Sequence, residues 1–195
     1  GEEGTDDTGT SGYEWFIDPI DGTTNYVYDQ PAWSNSVGVG FHGEMIAGAV
    51  FVPPLDEMFS AARDDGATMN GRAISASPET ELPLALLGTG FGYDPELRRA
   101  QAKFLAGVIS QVRDVRRLGS AAVELCMVAC GRLDAYYERH LTAWDIAAGE
   151  LIAREAGAIT SDFDGGPGHP DELVAAAPGV HAALLAALSA ASTAH

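Results

Sequence analysis

Residues Trp15 to Asn25 read Trp-Phe-Ile-Asp-Pro-Ile-Asp-Gly-Thr-Thr-Asn, and this string constrains the chain more than any other. The aromatic and β-branched residues Tyr13 to Ile17 form a short strand that delivers Asp18. Pro19 lacks an N–H donor and forbids continuation as a paired central strand. Asp21 follows three residues after Asp18, so the turn between them can aim both carboxylates into one pocket. Gly22 permits a backbone angle closed to other residues, or a close approach to a ligand. Thr23 and Thr24 then present hydroxyls and backbone N–H groups at the start of a helix, where an anion is well received. Two hard oxygen ligands beside a phosphate cradle suit a magnesium site acting on a phosphoryl group. On spacing alone, Asp-x-x-Asp-Gly is equally a solvated turn.

The remainder predicts an α/β fold with an antiparallel first half and an alternating second half. Residues 1–12 are polar and rich in Gly and Thr, a loop. Asn35–Phe41 and Met45–Val52 flank His42-Gly43-Glu44 as a hairpin. Glu57–Ala62 and Ala67–Ile74 bracket Asp64-Asp65-Gly66, with a second turn at Asn70-Gly71. Beyond them come strands at Leu84–Gly88, Val112–Leu118, Leu133–Glu138, Ala158–Asp162 and Leu173–Ala176. Helices lie between: one capped by Asp94 with Pro95 at its first position and running to Gln111, one led by Gly119-Ser120 and ending near Gly131, and one over Ala143–Ala156 stopped by Gly157. A last helix starts at Val180. Strands alternating with helices imply layered packing with functional groups at strand ends and helix starts. We expect a first part over 1–80 carrying metal and phosphate ligands, and a second over 81–195 completing the site.

Charge excludes one class of partner. The 11 Lys and Arg against 28 Asp and Glu leave a net charge of -17. Nucleic-acid binding needs a basic stripe, and the densest basic run, Arg113 to Arg117, reads as a solvated strand end. An acidic surface repels phosphorylated substrates at long range, so a bound divalent cation must reverse the sign locally. No run reaches the roughly 20 apolar residues that span a bilayer, so a cytoplasmic protein without a membrane partner is expected. Cys126 and Cys130 are one helical turn apart and lack further ligands at zinc spacing, which makes them core residues. His42, His140, His169, His181 and His195 form no ligand cluster, and Trp144 is expected to pack in the core.

The string Asp18-Pro19-Ile20-Asp21-Gly22-Thr23-Thr24 resembles a signature of the inositol monophosphatase family. Trp144-Asp145-Ile146-Ala147-Ala148-Gly149, continuing through Glu155-Ala156-Gly157, resembles the family's C-terminal signature. Gly1-Glu2-Glu3 is similar to its glycine-glutamate-glutamate turn, and Gly119-Ser120-Ala121-Ala122 and Asp134-Ala135-Tyr136-Tyr137-Glu138 extend the likeness along the chain. The resemblance implies a layered α-β-α-β-α sandwich of the sugar phosphatase type. It also implies a phosphoric monoester hydrolase, often dimeric, holding two or three magnesium ions per site. Glu2, Asp18 and the Ile20 carbonyl would hold the first metal; Asp18, Asp21 and Asp145 would hold the second. Gly22 and Thr23 would bind phosphate. Gly119, Ser120, Ala121 and Glu138, with Asp21 and Asp145, would line the alcohol pocket. Glu2, Thr23 and Asp145 would take part in catalysis, Thr23 by orienting the attacking water. Glu3 is equally a residue behind the ligands or a plain surface acid.

The implied substrate is a small polyol phosphate, inositol 1-phosphate before histidinol phosphate, fructose 1,6-bisphosphate or adenosine 3',5'-bisphosphate. A non-catalytic metal- or partner-binding relative is the alternative from another class. Asp145 on its own could be a helix N-cap, and Glu138 a solvated strand end. Family members carry roughly 65 to 70 further residues ahead of the turn, forming two helices and a hairpin. The chain is therefore expected to be N-terminally truncated, to leave a sheet face and an apolar surface open, and to be inactive or nearly so by itself.

Overall fold

The computed structural model describes residues 9–193, so Gly1, Glu2 and Glu3, with the roles expected of them, lie outside the described residues. The first half forms β1 (Tyr13–Asp21), a short helix α1 (Thr23–Val27), β2 (Ser34–Phe41), β3 (Glu44–Val52), β4 (Glu57–Ala62), β5 (Ala67–Met69) and β6 (Arg72–Ala73). These six strands make one antiparallel meander in chain order. Its tight turns follow from chain chemistry. His42 and Gly43 have φ of 52° and 81°, and Asn70 and Gly71 have 50° and 73°, the left-handed pairs whose twist matches that of flanking strands.

Pro19 does not end β1. The strand continues to Asp21 through a bulge, since Asp18 pairs with Ser36 and Asp21 with Ser34. Three steps on β1 thus face two on β2, and β1 is the edge strand of its sheet among the described residues. Bulges on edge strands are where proline is tolerated, because the missing N–H leaves no ladder bond unmade.

The second half forms β7 (Leu86–Thr89), α2 (Pro95–Val108), β8 (Asp114–Arg116), α3 (Ala121–Ala129), β9 (Ala135–Arg139), α4 (Ala143–Glu155), β10 (Ile159–Ser161), β11 (Glu172–Ala176) and α5 (His181–Thr193). Its sheet has the order β10-β11-β9-β7-β8, with β7 parallel to both β8 and β9. The Asp94 carboxylate caps α2 by accepting from the N–H groups of Glu96 and Leu97, both at 2.9 Å. That helix stops at Val108, and Ile109–Gln111 tightens into a 3-10 turn. The strand expected over Val112–Leu118 shrinks to Asp114–Arg116, because it has only the four-residue β7 to pair with.

Helices α3 and α4 lie between the two sheets. Every residue of α3 is buried, as a helix covered on all sides must be. One apolar core joins Val50, Val52 and Phe59 of the first sheet to Leu125, Ile152 and Tyr136; Cys126 sits in it and Cys130 packs against it. A second core, with Phe104, Val108, Leu184 and Leu188, fixes α2 and α5 on the far face of the second sheet. Where α4 meets β2 and β3 the strands carry small residues. A Cβ on Gly48 would lie 2.9 Å from Ala148 Cα, and one on Gly38 would lie 3.0 Å from Ala147 Cβ.

The described layers are therefore sheet, helices, sheet, helices. Among the described residues, Tyr13, Trp15 and Ile17 on the outer face of β1 are 52%, 65% and 44% exposed. They stand in register with Phe41, Val39 and Val37 of β2, so the apolar stripe extends across the sheet. No described helix is long and apolar enough to cross a membrane.

Candidate active site

The bulge in β1 builds the first wall of the site. Asp18 Oδ1 accepts from the Ile20 N–H at 3.0 Å, turning the backbone so that Asp21 faces the same side. Asn35 Nδ2 donates to the Pro19 carbonyl and pins the bulge to β2. Gly22 follows with φ 86°, and a Cβ there would lie 2.9 Å from the Ala32 carbonyl oxygen and 3.1 Å from Ser120 Cβ. The Thr23 hydroxyl opens α1 and donates to the Ile20 carbonyl at 3.0 Å. Asn25 Nδ2 bonds both the Ala32 carbonyl and, across the chain, that of Leu118 at 2.7 Å.

The second wall comes from α3. The Ser120 hydroxyl donates to Asp21 Oδ2 at 2.6 Å, and the N–H of Ala122 donates to the same oxygen at 2.8 Å. Ser120 Oγ also accepts from Val123 N–H at 3.2 Å, so it caps the helix and orients the carboxylate together. Its hydroxyl proton is thus directed at Asp21, although Ser120 borders the expected alcohol pocket. The third wall is the start of α4. Asp145 is the third residue of that helix, not its cap; Thr142 is the cap. Asp145 Oδ2 accepts from the Thr142 N–H at 2.7 Å and from its hydroxyl at 2.8 Å, which frees the other oxygen for the cavity.

Asp18, Asp21 and Asp145 converge, each offering an oxygen within 4.8 Å of the others. Asp18 and Asp21 are buried and Asp145 half-buried. Burial pushes the Asp21 carboxyl up to about 7; the Ser120 and Ala122 hydrogen bonds oppose this, and the charges of Asp145 and Asp18 add to it. Such crowding of like charges out of water is unfavourable until a cation neutralises it. The donor set is all oxygen, which suits magnesium, calcium or manganese better than zinc. The hydroxyls of Ser34 and Ser36, in register with Asp21 and Asp18, are buried with no hydrogen-bond partner. Unused polar atoms beside the carboxylates fit a site completed by a hydrated cation.

A cavity of about 290 Å³ opens above the three carboxylates. It is lined by Ile20, Gly22, Thr23, Gly119, Ser120, Ala121 and Glu138, so every expected site residue within the described part meets there. Trp144 lines it as well and belongs to neither apolar core, which corrects the expectation for that residue. Glu138 accepts from Tyr136 Oη at 2.5 Å, and burial pushes its carboxyl up to about 7. Beneath the 118–120 loop, Glu124 Oε1 accepts from the N–H groups of Leu118 at 2.7 Å and Gly119 at 3.2 Å. Burial drives the Glu124 carboxyl up to about 8. Sequence reasoning missed Asn25, Thr142, Tyr136, Glu124 and Arg117. Of these only Thr142 left a local sign, the Thr-x-x-Asp spacing of a capping box.

The sequence model described as "Inositol monophosphatase family" matches residues 1–194. The chain is 51% identical over 181 residues to the Inositol-1-monophosphatase SuhB of Mycobacterium tuberculosis, covering 89% of this chain and 62% of that relative. It is 42% identical over 171 residues to the Nus factor SuhB of Pasteurella multocida, covering 86% of this chain and 64% of the relative. The chain therefore spans less than two thirds of the length of these relatives. The solved structure of Mycobacterium tuberculosis SuhB superposes with a TM-score of 0.84 at 49% identity, over 91% of this chain and 72% of that one.

Proposed function

The chain belongs to the inositol monophosphatase family, and from that premise we propose that it is the larger part of a magnesium-dependent phosphomonoesterase acting on a small polyol phosphate, inositol 1-phosphate first. The observation that carries this reading is the meeting of Asp18, Asp21 and Asp145 beside Gly22 and Thr23, all on the wall of one cavity.

In this reading Asp18, Asp21 and Asp145, with Glu2 and the Ile20 carbonyl, would hold the magnesium ions. When bound, the metals supply Lewis-acid chemistry, polarising the phosphoryl group and stabilising negative charge on the departing oxygen. The chain's own groups do the rest. The N–H groups of Gly22 and Thr23 receive the phosphate, and the Thr23 hydroxyl, whose proton goes to the Ile20 carbonyl, accepts from the attacking water and orients it. Ser120 and Thr142 hold Asp21 and Asp145 in place, so little reorganisation is needed during reaction. Glu138 accepts hydrogen bonds from hydroxyls of the leaving alcohol. The chain acts in the cytoplasm, as a homodimer.

The test is magnesium-dependent phosphate release from inositol 1-phosphate, histidinol phosphate, fructose 1,6-bisphosphate and adenosine 3',5'-bisphosphate. It is run on this chain and on a version extended to the length of the relatives. We expect the extended protein to prefer inositol 1-phosphate and this chain to show little turnover; no release from any ester by either form would overturn the reading. A second reading, a partner-binding protein on the same scaffold, draws on the likeness to a protein named Nus factor. Calorimetry with magnesium separates the two in part, since a decayed site would not lose metal affinity on Asp21→Asn.

A further inference from the structure

Among the described residues that line the cavity, Arg117 is the single lysine or arginine. It belongs to the basic run that the sequence offers as a solvated strand end, yet it lies beyond the last residue of β8 and borders the site. Its side chain lies across Gly119: a Cβ on that glycine, whose φ is 90°, would be 2.6 Å from Arg117 Nη1. Asn25 Nδ2 would be 3.1 Å from the same point, which ties this position to the segment carrying Gly22 and Thr23. Among the described residues Arg117 makes no hydrogen bond or ion pair, although four carboxylates line the same cavity. Its charge nonetheless draws down the carboxyls of Glu138 and Glu124 against the effect of their burial. Arg117 thus lies over Gly119, which lines the cavity together with Glu138.

We propose that Arg117 is a specificity-determining residue that receives a second anionic group on the leaving alcohol, in opposition to Glu138; the inference rests on the phosphomonoesterase reading above. A guanidinium presents a planar fork that matches a phosphate, whereas a carboxylate opposite it repels one and accepts from hydroxyls instead. The pair sets preference by difference. With both present the alcohol end is balanced and takes a neutral polyol; removal of either charge tilts it.

Calorimetry with calcium in place of magnesium reads this without turnover, using inositol 1-phosphate and fructose 1,6-bisphosphate as probes on this chain. Arg117→Met is expected to raise the Kd for the bisphosphate about tenfold more than that for the monophosphate, and Arg117→Lys to recover part of the loss. Glu138→Gln is expected to shift the ratio the other way, and to lose that shift when combined with Arg117→Met. In the length-extended protein with magnesium, the kcat/KM ratio for the two substrates should move in parallel. Equal changes for both probes, or none, would overturn the role of Arg117 while leaving the phosphatase reading intact. If the unaltered chain and the extended protein bind neither probe, the phosphatase reading fails and this inference falls with it.

Discussion

The hydroxyl of Ser120 lies 2.6 Å from Oδ2 of Asp21, a carboxylate 99 residues earlier in the chain. That one bond ties a strand bulge in the first sheet to the start of a helix packed between both sheets. It also makes the geometry of the acidic trio a property of the tertiary fold.

Removing this hydroxyl takes away two interactions, the donor to Asp21 and the acceptor for Val123 N–H. We expect Ser120→Ala to cost about 1–2 kcal/mol in thermal or denaturant unfolding and to weaken magnesium binding severalfold. Ser120→Thr should restore both. Magnesium affinity indifferent to Ser120→Ala would show that Asp21 is held by other means.

Three buried carboxyls, Asp21 and Glu138 at about 7 and Glu124 at about 8, set the pH response of the metal-free chain. Each is raised above its unfolded value, so the folded state holds more protons than the unfolded one between roughly pH 4 and 8. The stabilisation from the neutral forms is complete below the unfolded values and is lost as pH rises through the folded ones. The melting temperature should therefore fall by several degrees from pH 5.5 to 8.5. Magnesium should reverse the decline at the alkaline end, because it binds the charged form of Asp21. Asp21→Asn should make the metal-free decline shallower, with Glu124 and Glu138 still contributing, while weakening magnesium binding about a hundredfold or more. A melting temperature that climbs over this window would contradict the assigned burial.

Gly22 and Gly43 offer a paired test of backbone against packing. Both have positive φ, but a Cβ at Gly43 meets nothing within 4 Å, whereas one at Gly22 strikes the Ala32 carbonyl at 2.9 Å. We expect Gly43→Ala to cost about 1 kcal/mol and Gly22→Ala roughly 2–4 kcal/mol. Equal losses in chemical denaturation would remove the case for close approach at Gly22.

The open face of the first sheet should make the chain associate. Trp15 is 65% exposed beside Tyr13 and Ile17, on a stripe that continues over Val37 and Val39. Sedimentation velocity is expected to show concentration-dependent association at micromolar levels, reduced by Trp15→Glu combined with Ile17→Lys. A monomer at all concentrations would mean that the stripe is too small or too divided to matter.

Much of the secondary structure is written locally. The left-handed residue pairs at His42-Gly43 and Asn70-Gly71, the Asp94-Pro95 start of α2 and the Gly157 stop of α4 sit where nearest-neighbour chemistry puts them. The errors arise where long-range pairing decides. Pro19 stays within β1 because the strand is an edge strand and bulges there, and Val112–Leu118 is mostly coil because β7 is too short to pair with it. Trp144 turned to the cavity, and Glu124 entered an otherwise apolar helix core to hold the 118–120 loop. Neither event has a periodic signature.

By itself the sequence determined that Asp18 and Asp21 stand within a few residues of Gly22 and Thr23, since three residues of chain cannot carry them far apart; the bulge that aims them was set by the pairing of β1 with β2. That Asp145 joins them was implied by the family resemblance, but only the tertiary structure set the 4.8 Å spacing, the hold of Ser120 on Asp21 and the place of Arg117 on the same cavity. The physical reason is distance along the chain. These groups meet only after two sheets and the helices between them have buried their apolar faces, and such burial is directionless in sequence but specific in space.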